Sequence, residues 1–181
     1  MFEKMRLYHA LLTLYVSNLR VIHWTVSGKG FHTSHARYQT YYETLYDYID
    51  ETAEALLSMG QRPVSVFEAI RLVRESNIDG FILDGTENLC PEIGDKHIMK
   101  MFDQLYDLSE DLADEDDLPV DVSDIFMGHA KYFRLEGKYK LGRRFATPTK
   151  PDQDEPHHVA VTTPDVPVVT ADSIGNEDQE E

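Results

Sequence analysis

The chain has 181 residues, 41% hydrophobic and 28% charged, with a formal net charge of −16, which suits one globular domain with an appendage and excludes a fibrous or collagenous class. A single cysteine, Cys90, excludes an intramolecular disulfide framework and a cysteine-based zinc site, and suits a reducing cytoplasm. No run approaches ~20 apolar residues, so neither a membrane span nor export is expected, and the negative field repels nucleic acid and anionic lipid while attracting cations.

The first element is helical. Met5, Tyr8, Leu12, Tyr15, Leu19 and Ile22 recur at three- and four-residue steps, and Leu11, Leu14 and Val21 widen the stripe. A helix apolar on two sides needs two packing partners, of which a second subunit is one candidate. Gly28 and Gly30 then break the chain. Tyr38, Tyr41, Tyr42, Leu45, Ile49, Ala53 and Leu56 predict a second long helix, stopped at Met59-Gly60 with Pro63 beyond. Val66–Val73 predicts a short helix in the connection that follows. Asn77 to Gly94 reads as loop on its glycine turn signals. Ile98, Phe102, Leu105 and Leu112 begin a third long helix that runs into the acidic stretch Asp114–Asp117. Pro119 starts a fourth, carrying Ile125, Phe126, Tyr132, Phe133, Leu135 and Tyr139. No strand alternation competes with these segments, and no repeat of 20–50 residues is visible.

The expectation is therefore all-α: a four-helix bundle over residues 1–145 with a short helix in the middle connection. Residues 146–181 carry nine carboxylates, one lysine and five of the eight prolines. No helical period survives there, which predicts an acidic tail that is disordered or bound by a protein partner, with Val159–Val161 and Val166–Val169 able to pair as short strands.

The second helix carries the chemistry. At about 100° per residue, His35, Gln39, Asp50 and Glu54 fall within an arc of roughly 100° beside the apolar set. His35 and Asp50 are fifteen residues apart, about 22 Å along a straight helix, so one metal cannot bridge them in one chain. Two copies crossing antiparallel about a two-fold near residue 44 would set His35 of one against Asp50 and Glu54 of the other, giving two equivalent sites. His23, at the end of the first helix, could complete each site. Imidazole with carboxylate suits ferrous iron or zinc better than calcium or magnesium. Ordinary solvated or salt-bridged side chains are the competing reading of such a set. The Glu-x-x-His pairs of a di-iron site inside one bundle are absent.

The run Asn18-x4-His23-Trp24-x-Val26-x-Gly28-x2-Phe31-x3-His35, followed by Ile49-Asp50-Glu51-x-Ala53-Glu54-x4-Met59-Gly60-x2-Pro63, strongly resembles the Dps family, the DNA-protection-during-starvation proteins. These are ferritin-like four-helix subunits of hollow dodecamers. The specific resemblance spans about residues 15–75; beyond that it rests on helix count and order. It implies a ferroxidase site with His23 and His35 from one subunit and Asp50 and Glu54 from its two-fold mate. Such a site takes one or two irons, with zinc as a substitute, oxidises Fe(II) with hydrogen peroxide preferred over O2, and passes Fe(III) to storage in the cavity, which protects against oxidative damage. Trp24 resembles the tryptophan beside that site, a candidate electron donor; a packed helix-end aromatic is the competing reading. Asp121 and Asp124 match the position where the family lines its three-fold iron-entry pores, although ordinary helix N-terminal charge explains them equally well.

One position departs. The family usually carries an acidic residue one turn after the second histidine, and here stands Gln39, which removes a negative charge and predicts weaker binding of a second iron. The alternative function is a cage or shell component with weakened ferroxidase chemistry whose tail binds a protein partner. Direct DNA binding is not expected: the family's lysine-rich arm has no counterpart, and the tail has the wrong sign. The basic end of the fourth helix, Lys131 to Arg144, reads as complementing the helix dipole. His9, His32, His97 and His129 have no partner at ligand spacing and receive no role.

Overall fold

A computed structural model describes residues 1–76, 78 and 88–146. Five helices account for most of them: α1 (Phe2–Thr25), α2 (Phe31–Ser58), α3 (Val66–Glu75), α4 (Pro91–Ala113) and α5 (Val120–Phe133). The last continues into a π-helical segment, Arg134–Leu141, and a final α-helical turn, Gly142–Phe145. The architecture is a four-helix bundle of α1, α2, α4 and α5, with α3 in the long connection between the two halves. The acidic tail and most of the stretch read as loop between Asn77 and Gly94 lie outside the described residues.

Short connections make two antiparallel hairpins, α1 with α2 and α4 with α5, and each pair packs along its length. At the end of α2 the backbone closes as the sequence predicts. Gly60 takes φ +71, and the amides of Gly60 and Gln61 donate to Leu57 and Leu56 at 2.9 and 2.8 Å. Two carbonyls of the last turn are satisfied by this left-handed stop. The following helix starts on a serine N-cap: Ser65 Oγ accepts from the Glu68 amide at 3.3 Å. Glu68 in turn pairs with Arg6, tying α3 to α1.

The helix α1 is the hub. It contacts α2, α3 and α4, and Met5, Tyr8, Leu11, Leu12, Leu19 and Ile22 have no exposed surface. Both of its apolar sides are thus covered within the chain, without recourse to a second subunit.

Two boundaries differ from the sequence reading. The third long helix opens at Pro91, not after Gly94, with proline in its first turn where a missing N–H costs nothing. Gly94 is there for space: a Cβ would lie 2.9 Å from the Tyr38 hydroxyl and 3.1 Å from Ile22 Cγ2. The predicted fourth helix is also not uniformly α, because its last third winds into the π segment. That segment turns Glu136 inward, where its carboxylate accepts from the Tyr41 hydroxyl at 3.3 Å.

Near the N-terminus of α4, the fully buried Asp95 gathers three donors. Tyr38 lies at 2.8 Å and Arg37 at 2.6 Å, and Arg144 of the final turn bonds the second oxygen. A carboxylate without exposed surface is tolerable only when its lone pairs are filled. Asp95→Asn should therefore lower stability by about 1.5–3 kcal/mol, the range for hydrogen bonds to charged groups. The check is a reduced urea midpoint, accompanied by faster amide exchange over Gly142–Phe145 as Arg144 loses its anchor.

Candidate metal centre

The turn between α1 and α2 brings two histidines face to face. His23 sits two residues from the end of α1 and is 7% exposed; His35 sits in the second turn of α2 and is half-buried. Their rings stack with centroids 3.7 Å apart at 23°. His35 Nδ1 lies 2.9 Å from the carbonyl of His23, and His23 Nδ1 lies 3.0 Å from the carbonyl of His35.

This exchange has a local cause. The last carbonyls of a helix have no partner inside it. In α1, Ile22 gives its carbonyl to the Val26 amide and Thr25 to the Leu89 amide, while His23 finds the His35 imidazole. A carbonyl only accepts, so each Nδ1 must carry the ring hydrogen, and each Nε2 keeps its lone pair. Neither Nε2 makes a hydrogen bond among the described residues. In the neutral ring this is the tautomer that offers Nε2 to a metal, held in place by backbone oxygens. Tyr42 packs edge-on against His23 at 5.3 Å and Phe31 lies 4.9 Å from His35, holding the rings in place.

The carboxylates predicted to join them are elsewhere. Asp50 and Glu54 lie in the C-terminal half of α2 and are exposed. Among the described residues, no group of three or more His, Cys, Asp or Glu side chains in one chain could hold a metal ion. One chain therefore assembles only the imidazole half of the set. Gln39 is exposed one turn beyond His35, and its amide donates to Glu43 at 2.8 Å, so its carbonyl oxygen is the end left for a ligand. Trp24 is 63% exposed, with the Arg20 guanidinium 4.7 Å above its ring. It is therefore not a packed helix-end aromatic within this chain. Arg20 also reaches the Tyr46 hydroxyl at 3.2 Å. Asp121 and Asp124 are exposed in the first turns of α5.

His129 was given no role from sequence, yet it is 2% exposed and hydrogen-bonded on both ring nitrogens, to Glu51 at 2.8 Å and Tyr8 at 3.0 Å. No local pattern could have shown this, since its partners lie 78 and 121 positions away. His9 is also buried, and neither ring nitrogen has a partner. Burial, and then the nearby Arg6 charge, push its pKa below the usual histidine value. It serves as a neutral core residue.

No protein-family model matches the chain. Among curated proteins, it is 27% identical over 112 residues to general stress protein 20U of Bacillus subtilis, covering 62% of this chain and 71% of the relative. It is 39% identical over 64 residues to a DNA protection during starvation protein of Porphyromonas gingivalis, covering 35% of this chain and 40% of that protein. The protein of the same name from Helicobacter pylori is 32% identical over 98 residues, covering 51% and 66%. In these two cases the match spans less than two thirds of the relative. The fold is shared with antigen TpF1 of Treponema pallidum, at a TM-score of 0.71 and 21% identity, covering 81% of this chain and 91% of that one. It is also shared with Dps of Mycobacterium smegmatis, at 0.69 and 16%, covering 81% and 86%. Named relatives in sequence and the ferritin-like bundle shared with solved Dps proteins support a kinship of this chain with the Dps family.

Proposed function

We propose that this chain is the subunit of a homo-oligomeric cage that oxidises ferrous iron and stores the ferric product. The observation that carries the reading is the His23–His35 pair. Two imidazoles fixed as Nδ1–H tautomers, with both Nε2 lone pairs unused, are half of a ligand set for a borderline metal ion. Asp50 and Glu54 are too far along α2 to complete it, so a two-fold partner supplies them, and each dimer holds two sites. Six such dimers would make the dodecamer implied by the family resemblance.

Ferrous iron is the substrate. His23 and His35 hold it on one side, while Asp50 and Glu54 of the partner subunit balance its charge. Two ferrous ions give one electron each to hydrogen peroxide. Its O–O bond breaks, two protons are taken up, and two waters leave. Consuming both reagents together removes the ingredients of hydroxyl-radical formation, which is the protective outcome. The exposed Trp24 stands next to His23 in sequence as a candidate donor of a further electron. Asp121 and Asp124 are proposed to line the iron entry, and the acidic sequence of residues 146–181 is proposed to bind a protein partner.

A second reading is favoured by Gln39. Its amide is already bonded to Glu43, and a neutral side chain contributes no charge to a second iron. On that reading the cage persists as a structural component with reduced chemistry.

Anaerobic ferrous titration followed by a peroxide pulse separates the two. Saturable binding of one or two irons per site with accelerated oxidation is expected, whereas weak, unsaturable binding would favour the structural cage. His35→Ala should abolish fast oxidation and leave the assembly intact by size-exclusion chromatography, because it removes a ligand and little core. For Gln39→Asp the expectation is tighter ferrous binding at neutral pH, read from the same isotherm, since a charged oxygen ligand returns to a partly desolvated site. An unchanged isotherm would place Gln39 outside the metal shell.

Charge also predicts how the cage treats DNA. Lys and Arg contacts to phosphate supply most non-specific affinity, and a net charge of −16 per chain opposes them. Gel shifts at about 150 mM salt should show no retention by the full-length protein. Retention without divalent cations would mean that the basic end of the bundle overrides the net field.

A further inference from the structure

Away from the His23–His35 pair, three side chains from three helices form one hydrogen-bonded line that runs from the core to the surface. Tyr8 of α1 has no exposed surface, His129 of α5 is 2% exposed, and Glu51 of α2 reaches in from a half-exposed position. Glu51 Oε2 lies 2.8 Å from His129 Nε2, and the Tyr8 hydroxyl lies 3.0 Å from His129 Nδ1. A carboxylate accepts and cannot donate, so Nε2 carries the ring hydrogen. Nδ1 then holds the lone pair, and the Tyr8 hydroxyl donates to it.

The environment poises both ends. Burial lowers the His129 pKa, partly offset by Glu51, so the imidazole is neutral near pH 7 and free to take a proton. Burial, reinforced by Tyr48, raises the Tyr8 phenol well above its ordinary value. Such a phenol does not ionise by itself. It gives up its proton when an electron leaves with it, because removing an electron makes the hydroxyl strongly acidic.

A route for that electron is present. The Tyr48 ring stacks on His129 at 3.8 Å, Tyr132 lies 5.5 Å from Tyr48, Phe102 6.1 Å from Tyr132, and Tyr41 5.1 Å from Phe102. Tyr48 and Tyr132 are partly exposed, so this aromatic path reaches the surface. Tyr38 and Tyr41 bond to carboxylates, but Asp95 is already claimed by Arg37 and Arg144, and Glu136 by Lys140. An imidazole is the stronger base, which singles out Tyr8.

We propose that Tyr8 is a redox site: a proton-coupled one-electron donor that quenches strong oxidants of the hydroxyl-radical class, with His129 as proton acceptor and Glu51 as the carboxylate that positions it. In the step, the Tyr8 O–H bond breaks. The electron passes along the aromatic path to the oxidant, and the proton moves to His129 Nδ1. A hydroxyl radical that accepts the electron leaves as hydroxide, and Tyr8 remains as a neutral phenoxyl radical beside an imidazolium paired with Glu51. The site draws on no residue assigned to hold iron.

The test uses the full-length, iron-free assembly, so its outcome does not depend on ferroxidase activity. Photogenerated tris(bipyridine)ruthenium(III) serves as the one-electron oxidant, and samples are frozen for electron paramagnetic resonance. The expected result is a tyrosyl radical with a hyperfine coupling to one exchangeable proton, the one now on His129, which disappears in D2O. Tyr8→Phe keeps the ring and its packing and should lose most of this signal. His129→Gln should lower the yield as well, while circular dichroism confirms an intact bundle; should that variant fail to fold, Tyr8→Phe and the D2O experiment decide. An undiminished radical in Tyr8→Phe, or a wild-type radical without the exchangeable coupling, overturns the proposal.

Discussion

Everything in this bundle depends on burying α1. A helix with buried residues at Tyr8, His9, Leu11, Leu12, Leu14 and Tyr15 has no face to give to water over that stretch. It must be surrounded, and α2, α3 and α4 surround it. Each buried Leu or Ile contributes about 1.5–3 kcal/mol, and α1 carries more of the buried apolar residues than any other helix. Its placement also fixes where its polar residues fall: His23 at its end, against α2, and Tyr8 near its start, against α5.

Burying so polar a helix requires that its hydroxyls and imidazoles find partners inside the core. The solutions share one form, in which a group from a distant helix meets it end on. Tyr8 meets His129 and Tyr15 meets Gln104, just as Tyr38 of α2 meets Asp95 of α4. Each contact desolvates both groups, so losing either partner leaves a buried polar atom unsatisfied and costs more than the bond itself contributes. His9 is the exception, held neutral with both nitrogens unpartnered. These pairings specify how the helices register against one another, which apolar contact alone does weakly.

The proposed metal chemistry rests on the same geometry. Where α1 ends, its orphan carbonyls need donors, and His35 supplies one while His23 returns the bond to α2. Satisfying a helix terminus thereby orients the two proposed ligands. On the proposed reading the exposed face of α2, with Gln39, Glu43, Asp50 and Glu54, is the complementary half: polar, unburied and spread along the helix. A site divided in this way can be completed only when two copies meet, which would couple metal binding to assembly.

The helices were legible in the sequence because apolar residues at three- and four-residue steps have one efficient way to be buried. The left-handed stop at Gly60 was legible because its signal is local. His23 and His35, twelve residues apart across a glycine turn, were legible as a candidate pair, as was the separation of His35 from Asp50 and Glu54, which follows from helical rise alone. Other features depend on residues distant in the chain. Gly94 read as the end of a loop stretch, but its role is the close approach of Tyr38 and Ile22. The π-helical segment leaves Leu135 and Tyr139 of the expected stripe exposed, and sets Glu136 against Tyr41 and Gly137 against Phe102 instead. His129 carried no signal at all, since Tyr8, Glu51 and His129 are brought together only by three helices packing around one core. By itself the sequence determined what each segment becomes, because local conformation responds to local pattern. Which buried polar groups meet was decided by tertiary structure, because a hydrogen bond depends on position in space, and that is set only when the whole bundle closes.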